Sequence, residues 1–435
     1  MPRPHQEPRT LLEYLIRQRN RTYEELAAEF SRHDGHAAIS ARHLGRLARG
    51  EREAAGATPA TRRAFQAMFG RPLDDLLQPW TPASEPIAPA TNSSLMLPSG
   101  NERSLLAMAA ERARRFAMLT SEATSPEALD QLREDVQRLA LAYPQRPLAE
   151  LLGDLVETQD TLFVLLERRQ DPQQSRQLHF LASVTSGLLA KASHDLADPH
   201  AAMLQARTAV LCADRADHNG LRAWLRGLQS MVAYWAGRHA EAVRYAEMGM
   251  QFAERTTGTT SVWLPVSAAR AYAALGNADR ALTSVRAAEE AWNQVEPDEM
   301  DELGGICTFN QPRTLYYAAD ALAWLPEEAS EAQALAARAV EAYSDRNDPA
   351  WAFGDQAGAH TDLAIARIAG RDLEGAAAAL APVLDLVTEQ RINGIIHSVQ
   401  RVHQVITRSG LGEDAHDMIE QIEDFTSTPM RSLPR

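Results

Sequence analysis

The side chains near the start of the chain that could do chemistry are the basic ones of residues 42–49. The segment 22–50 has the pattern of two short helices joined by a long connection, and the second helix carries Arg42, His43, Arg46 and Arg49. A helix with such a basic face can enter the major groove of DNA. There a guanidinium can donate two hydrogen bonds to guanine, and an imidazole can donate or accept at a base edge. The segment therefore predicts a DNA-binding helix.

The number of arginines is weaker support for DNA binding than their position. Lysine and arginine together number 44, and Lys191 is the only lysine. A GC-rich coding bias accounts for this without any role for individual arginines. The alternative interpretation of the N-terminal segment is therefore a small helical bundle with a solvated, arginine-rich face.

A second candidate site lies in the irregular segment 296–317. It contains five acidic residues, then Gly304 and Gly305, and then polar and aromatic residues before the next helix. Irregular inserts between helical pairs often carry function in repeat proteins. An acidic solvated loop beside ordinary packing aromatics is the alternative, and the EF-hand spacing of acidic residues is absent. The predicted ligand-binding residues are Trp235, Trp263, Asn310, Arg313, Tyr316, Tyr317 and Trp351.

Sequence motifs of catalysis are missing from the chain. There is no phosphate-binding Walker loop, no dinucleotide-binding glycine motif after a strand and no nucleophile-elbow serine motif. His33, His36 and His43 are close in sequence but lack a cysteine partner at metal spacing. We therefore expect no enzyme activity, no cofactor and no metal site.

Charge divides the chain into two parts. Residues 1–80 contain 13 arginines and 10 acidic residues, so the net charge of −14 leaves −17 for the remainder. This asymmetry suggests a nucleic-acid module joined to an acidic body. Two lone cysteines, Cys212 and Cys307, fit a reducing compartment, and no apolar run is long enough to span a membrane. The expected location is the cytoplasm.

The N-terminal part has the signals of five short helices around one core. Residues 10–13 and 22–25 match the capping box, and residues 58–59 give a threonine cap followed by proline. The apolar positions recur at helical spacing. They are Leu12, Leu15, Ile16, Leu26, Phe30, Leu44, Leu47, Phe65, Met68, Phe69, Leu73, Leu76 and Leu77.

Residues 10–80 resemble the lambda-repressor-like, Xre-type helix-turn-helix domain of bacterial regulators. Leu26-Ala27 matches the second helix of that family, and Ile39-Ser40 with Leu44, Leu47 and Gly50 matches the third. The resemblance implies that Ser40 caps the recognition helix and that Arg42, His43 and Arg46 face the groove. Arg49 and Arg52 would then contact phosphates. The interval from Leu26 to Ile39 is longer than in the family, because residues 31–36 are extra, and this puts the geometry of the turn in question.

A proline-rich segment separates this domain from a long helical body. Residues 81–102 have linker composition, residues 103–425 are a succession of amphipathic helices, and residues 426–435 are an expected disordered tail. Within the body, glycines after Ala233 and Ala273 are followed by small residues at matching offsets. This resembles a degenerate tetratricopeptide repeat, which implies five or six helical hairpins in a solenoid with a concave surface. Generic helix stacking is the alternative.

The predicted fold class is therefore all-α, with a five-helix helix-turn-helix domain, a linker and a tetratricopeptide-like α-solenoid. The architecture resembles regulators of high-GC Gram-positive bacteria. This implies a sequence-specific transcriptional regulator that binds double-stranded DNA as a homodimer, and its solenoid would sense a peptide or a small molecule. The alternative function is a protein-interaction scaffold whose helical head does not bind DNA.

Overall fold

The computed structural model describes residues 8–18, 22–23, 26–27, 39–51, 58, 61–62, 65, 68–69, 73–79 and 125–429. The chain divides into two compact units, Met1–Pro98 and Ser99–Arg435. The predicted linker, residues 81–102, lies outside the described residues. Among the residues that are described, no helix combines the length and the apolar character needed to cross a bilayer.

Three helices of the N-terminal unit are described: α1 (Leu11–Gln18), α2 (Ala41–Ala48) and α3 (Leu73–Leu76). The predicted caps form at Thr10, whose hydroxyl accepts from the Glu13 amide at 3.1 Å, and at Thr58, which accepts from the Thr61 amide at 3.2 Å. Thr10 also donates to the Ala48 carbonyl, so the start of α1 is bonded to the end of α2. The predicted apolar positions form one core, which contains Leu12, Ile16, Leu26, Leu44, Leu47, Phe65, Met68, Leu73 and Leu76. Phe30 lies outside the described residues.

The C-terminal unit is built from helical hairpins, as the sequence predicted. The helices are α4 (Pro126–Ala142), α5 (Leu148–Leu166), α6 (Pro172–Asp195), α7 (Pro199–Ala216), α8 (Asn219–Trp235), α9 (His239–Ala253), α10 (Thr260–Ala274), α11 (Ala278–Trp292), α12 (Glu299–Glu302), α13 (Gln311–Leu322), α14 (Ala329–Ala342), α15 (Phe353–Ala369), α16 (Leu373–Leu384), α17 (Asn393–Arg408) and α18 (His416–Ser427). Short 3₁₀ turns cover Gly305–Cys307, Pro326–Glu328 and Thr388–Gln390.

The inner helices of this unit form a closed ring. We call α6, α8, α10, α13, α15 and α17 the inner helices, because each packs on the next one in the series. The last of them, α17, packs back on the first, α6, and α5 contacts the 3₁₀ turn at Thr388–Gln390. The predicted tetratricopeptide-like solenoid is therefore present in its coarse form. However, its concave surface is closed into an interior rather than open as a groove.

Glycines and alanines set the close approach of the helices within each hairpin. Gly237 and Gly276 adopt φ of +70° and +75° in the turns after α8 and α10, where a side chain would be strained. Gly249 of α9 is buried, and a Cβ on it would lie 2.5 Å from Leu264 Cδ2. The small residues that the sequence singled out therefore serve packing.

The predicted tail begins too early. Residues 426 and 427 belong to α18, whereas residues 430–435 lie outside the described residues. The Arg391 guanidinium lies 4.3 Å from the centre of the Phe425 ring and donates to Thr428 Oγ1 at 2.5 Å. These long-range contacts extend the helix beyond the end that its local sequence indicated.

The packing of Gly249 gives a test with a matched control. Gly249→Ala should lower the free energy of unfolding by about 1–3 kcal/mol, because the added methyl group overpacks the contact with Leu264. Gly153→Ala in α5 should instead raise it by about 0.5–1 kcal/mol, since a Cβ there meets nothing within 4 Å. Urea unfolding followed by circular dichroism measures both, and equal effects of the two substitutions would contradict this packing.

Candidate functional site

The interior of the ring contains a cavity. Its empty volume is about 790 Å³, including the mouth that opens to solvent, and all six inner helices contribute to its lining. The lining includes Lys191, His194, Asp195, Trp224, Leu228, Met231, Trp235, Trp263, Ile306, Cys307, Phe309, Arg313, Tyr316, Tyr317, Asp355, Gly394, Ile395 and Ser398.

Aromatic rings dominate the wall of the cavity, and glycines on neighbouring helices make room for them. A Cβ on Gly187 of α6 would collide with the Trp224 ring. In the next pair of inner helices, a Cβ on Gly227 would lie 2.7 Å from the Trp263 ring. Each indole thus occupies space that only a glycine on the preceding inner helix leaves free, which fixes its position in the wall.

Five of the seven predicted ligand-binding residues line this cavity: Trp235, Trp263, Arg313, Tyr316 and Tyr317. The other two have structural contacts elsewhere. Asn310 caps α13 by accepting from the Arg313 amide at 3.0 Å, and it donates to the Ala350 carbonyl at 3.3 Å. Trp351 donates through Nε1 to Gln356 at 3.2 Å. Neither residue is among those that line the cavity.

Two partly buried ion pairs lie in the cavity wall. The Lys191 ammonium donates to both carboxylate oxygens of Asp195 at 2.5 and 2.7 Å, and the Tyr143 hydroxyl adds a third bond at 2.9 Å. Arg313 donates through Nε to Asp355 at 2.7 Å and through Nη1 to the Thr308 carbonyl at 3.0 Å. Each cation of the wall is therefore paired with a carboxylate of the same wall.

The other titratable groups of the wall are uncharged at neutral pH. Burial lowers the pKa of His194 well below its ordinary value, and the nearby Lys191 and His397 lower it further. Burial also raises the pKa of the Cys307 thiol to about 12, which leaves it protonated and unreactive. The cavity therefore presents no unbalanced charge.

The irregular insert forms one wall of the cavity and is ordered by its acidic residues. Asp298 caps α12, and Asp301 accepts from the Thr259 amide at 3.0 Å. Glu299 accepts from Arg133 of α4 at 2.5 Å, and its pKa is lowered to about 2, first by a hydrogen bond from His218 and then by Arg133. These carboxylates are structural and not merely solvated. They hold Ile306, Cys307 and Phe309 of the insert against the cavity.

Behind the cavity wall, one carboxylate joins four inner helices. Asp320 of α13 accepts from Arg270 of α10 and from Arg401 of α17, and all three side chains are buried. Tyr234 of α8 donates to the same carboxylate at 3.1 Å. The Arg270 guanidinium also lies 4.1 Å from the centre of the Tyr317 ring, so the cavity wall rests on this cluster.

A second buried carboxyl, Asp362 of α15, lies beside this cluster. Its Oδ1 is 3.8 Å from Arg401 Nη1. Burial raises the pKa of Asp362 well above its ordinary value, and the neighbouring charge of Asp320 raises it further. Burial alone would also raise the pKa of Asp320, but Arg270 and Arg401 outweigh burial and lower it. The cluster therefore holds Asp320 ionised and Asp362 protonated.

Sequence reasoning missed several residues of the cavity, including Lys191, Asp195, Trp224, Phe309 and Asp355. A signal was present for some of them. Gly187 and Gly227 interrupt otherwise regular helices, and each is followed by a tryptophan one repeat later. Interior glycines of this kind indicate a close approach by a large side chain. Lys191 and Asp195 are four positions apart on one helix, which is the spacing of a local ion pair. Arg313 and Asp355 are 42 positions apart and left no local signal.

In the N-terminal unit, the predicted DNA-binding residues that are described lie on α2 and at its two ends. Ser40 caps it by accepting from the His43 amide at 3.2 Å, while Leu44 and Leu47 are buried in the core. Arg42 is exposed, and His43, Arg46 and Arg49 are half-buried. Arg52, His33 and His36 lie outside the described residues. The described residues contain no group of His, Cys, Asp or Glu side chains that could hold a metal ion.

The basic face of α2 is partly neutralised by one acidic residue. Arg49 donates to Glu51 at 2.8 Å, and the Arg46 guanidinium lies 3.7 Å from the same carboxylate. The hydrogen bond from Arg49 lowers the pKa of Glu51, so the carboxylate stays ionised at neutral pH.

Neither a protein-family model nor a curated protein matches this chain. Among solved structures, it is similar to a Rap protein crystallised in complex with the competence and sporulation factor, with a TM-score of 0.40 and 11% sequence identity. The similarity covers 69% of this chain and 96% of that one. A similarity this distant does not bear on what the present chain binds.

The two buried carboxyls should respond differently to removal of their charge. Asp320→Asn should lower the free energy of unfolding by about 3–5 kcal/mol, because it leaves Arg270 and Arg401 buried without their counter-charge. Asp362→Asn should be neutral or stabilising at pH 7, since an amide resembles the protonated carboxyl already present. Urea unfolding of both variants measures the contrast, and a large loss for Asp362→Asn would show that Asp362 is ionised.

The same variants have opposite expected dependence on pH. An unfolded aspartate ionises near pH 4, whereas folded Asp362 keeps its proton to higher pH, so its contribution to stability decreases as pH rises above about 4. Asp320 has a lowered folded pKa, so its contribution is complete above the unfolded pKa and is lost as pH falls. The difference in unfolding free energy between the wild-type protein and each variant, measured from pH 3 to 8, should show these two slopes.

Proposed function

We propose that this chain is a sequence-specific DNA-binding transcriptional regulator whose C-terminal unit senses a ligand and dimerises. The observation that carries the DNA-binding part is α2 itself. It is capped by Ser40 and anchored in the core by Leu44 and Leu47, and it presents Arg42, His43 and Arg46 on the opposite side. A short helix held this way can insert its polar face into the major groove.

The ligand-sensing part of the proposal is supported by the cavity in the ring. All six inner helices contribute to its wall, so a bound molecule contacts several of them at once. A ligand that binds one arrangement of the ring more tightly than another shifts the population towards that arrangement. In a dimer held through this unit, such a shift changes how two recognition helices fit half-sites one or more turns apart.

Specific DNA binding is tested first by removing the two cations expected to contact bases. In the full-length protein, Arg42→Ala with Arg46→Ala should weaken binding to the DNA fragments selected by the wild-type protein by at least about 30-fold, because each bidentate contact to guanine contributes about 1–3 kcal/mol. Thermal stability should change little, since both side chains lie outside the core. Fluorescence anisotropy over a range of salt concentrations gives the affinities.

A matched control separates contact from net charge. Arg207→Ala with Arg215→Ala removes the same charge from exposed positions on α7 and should leave DNA affinity unchanged. Equal binding by both double variants would disprove the role of α2.

The position of Glu51 gives a prediction of opposite sign. Glu51→Gln frees Arg46 and Arg49 and removes a negative charge from the basic face, so DNA affinity should rise by up to about fivefold, the range of an exposed ion pair. The control is Glu413→Gln, which makes the same charge change at an exposed position of the C-terminal unit. The same anisotropy titration measures both, and a decrease in affinity for Glu51→Gln would place Glu51 in a favourable contact.

The second candidate function is a protein-interaction scaffold whose head does not bind DNA. It is favoured by Leu204 and Leu211, which are 50% and 64% exposed and lie two turns apart on one face of α7. Contiguous exposed apolar surface is typical of protein-interaction sites. The salt dependence of binding separates the two functions, because a DNA reader loses affinity steeply with salt while keeping its sequence preference.

A further inference from the structure

The interior of the ring does not offer a path for an extended chain. Trp235 of α8 stacks on His397 of α17, with ring centres 6.3 Å apart and an angle of 19° between planes. Asp320 joins α10, α13 and α17 by hydrogen bonds. A peptide lying along the inner helices would have to break these buried contacts. The space that remains is a compact cavity suited to a small molecule.

The wall of that cavity is made largely of flat rings in contact with one another. Trp263 and Phe309 stack with centres 5.8 Å apart and planes at 17°, and Phe309 meets Tyr317 edge to face at 5.1 Å. Trp224 tilts against Trp263 at 6.4 Å. A planar aromatic ligand would extend this series of ring contacts, each of which adds to the burial of apolar surface.

The charges of the wall cancel, and this excludes strongly ionic ligands. Lys191 is neutralised by Asp195 and Arg313 by Asp355, while His194 and Cys307 are uncharged at neutral pH. A phosphate or sulfonate would meet no cation in this wall that lacks a carboxylate partner, and moving its charge out of water without one is unfavourable. The ligand that fits is neutral.

Hydrogen-bond donors without a partner remain in the wall. The indole Nε1 atoms of Trp224 and Trp263 are buried without a hydrogen-bond partner in the described part of the chain. Lys191 donates both of its observed hydrogen bonds to Asp195, so one of its three ammonium protons remains to donate to a ligand. The carboxylates are occupied by the ion pairs. A ligand that satisfies the remaining groups must supply acceptors, such as carbonyl or ether oxygens.

We propose that the cavity binds a planar, uncharged aromatic small molecule that carries oxygen acceptors. This identifies the class of signal for the regulator proposed above and rests on that function for its regulatory meaning alone, because the binding itself depends only on the cavity. Trp224 and Lys191 donate to the oxygens of the ligand, and its ring lies against Trp263, Phe309 and Tyr317.

The test uses the full-length protein and defined probes, with tryptophan fluorescence as the readout. Flavone, coumarin and anthraquinone are planar and neutral and carry oxygen acceptors. Naphthalene lacks the acceptors, and naphthalene-2-sulfonate adds a negative charge. At least one of the three oxygen-bearing probes should bind more tightly than both naphthalene compounds. Failure of all three to bind, or tighter binding of the sulfonate, overturns the proposal.

Two variants locate the binding. Trp224→Phe removes the indole donor at this position, so it should weaken the binding of the best oxygen-bearing probe about tenfold more than the binding of naphthalene. The control Trp292→Phe lies outside the cavity and should weaken the binding of neither probe. Gly394→Leu places a side chain in the cavity, and its Cβ has room because the nearest Trp235 atom is 3.8 Å away. Thermal denaturation confirms that this variant folds, and undiminished binding to it would place the ligand elsewhere.

Competition with a pool of random heptapeptides tests the other kind of ligand, and displacement of the bound probe by peptides overturns the proposal. The sensing function is tested separately, by measuring the affinity for the selected DNA with and without a bound probe. A probe that binds the cavity but leaves DNA affinity unchanged supports the ligand class and contradicts the sensing function. A protein that binds the selected DNA but none of the probes supports the DNA-binding part of the proposed function and overturns the proposed ligand class.

Discussion

The closed ring depends on one buried carboxylate with two arginines. Asp320 reaches Arg270 on one side and Arg401 on the other, and these residues come from three different inner helices. Removing such charges from water is expensive, so the cluster adds less stability than its short contacts suggest. Its effect is instead on geometry. Two guanidiniums with one carboxylate between them can be satisfied in few arrangements of α10, α13 and α17, and the aromatic rings around Arg270 restrict them further.

Closure changes what the repeat architecture can do. An open solenoid offers a long surface, but a ring in which α17 returns to α6 encloses a space of limited size. The residues that would contact ligand in a groove then face one another across this space. Gly187 and Gly227 let indoles from the next inner helix fill part of it, and two internal ion pairs cancel its charge. The size and shape of the site thus follow from the closure of the ring, and its neutrality follows from the ion pairs in its wall.

The local parts of this fold could be predicted from the sequence, and the closure could not. Helix periodicity, the threonine caps and the turn glycines Gly237 and Gly276 are local signals, and they located the hairpins and most aromatic residues of the site. Periodicity shows which face of a helix is buried but not which helix covers it. The pairing of Asp320 with Arg401, and of Arg313 with Asp355, joins residues far apart in sequence that look like ordinary surface charges until the ring closes. Asn310 and Trp351 do not line the cavity, because Asn310 donates to the Ala350 carbonyl and Trp351 donates to Gln356.

The insert is the part of the cavity wall with a direct mechanical connection to the start of the C-terminal unit. Ile306 and Phe309 face the cavity, while Gly305 packs so closely on the Ala140 backbone of α4 that a Cβ would collide with it. Glu299 and Glu302 add hydrogen bonds from Arg133 and Gln137 of the same helix. Because packed backbone contacts do not deform gradually, a ligand that displaces Phe309 must either move α4 with the insert or break this contact. A signal from the cavity would therefore reach α4, the first described helix of its unit, before the outer helices of the ring. The free energy of this shift is limited by the difference in ligand affinity between the two positions of the insert.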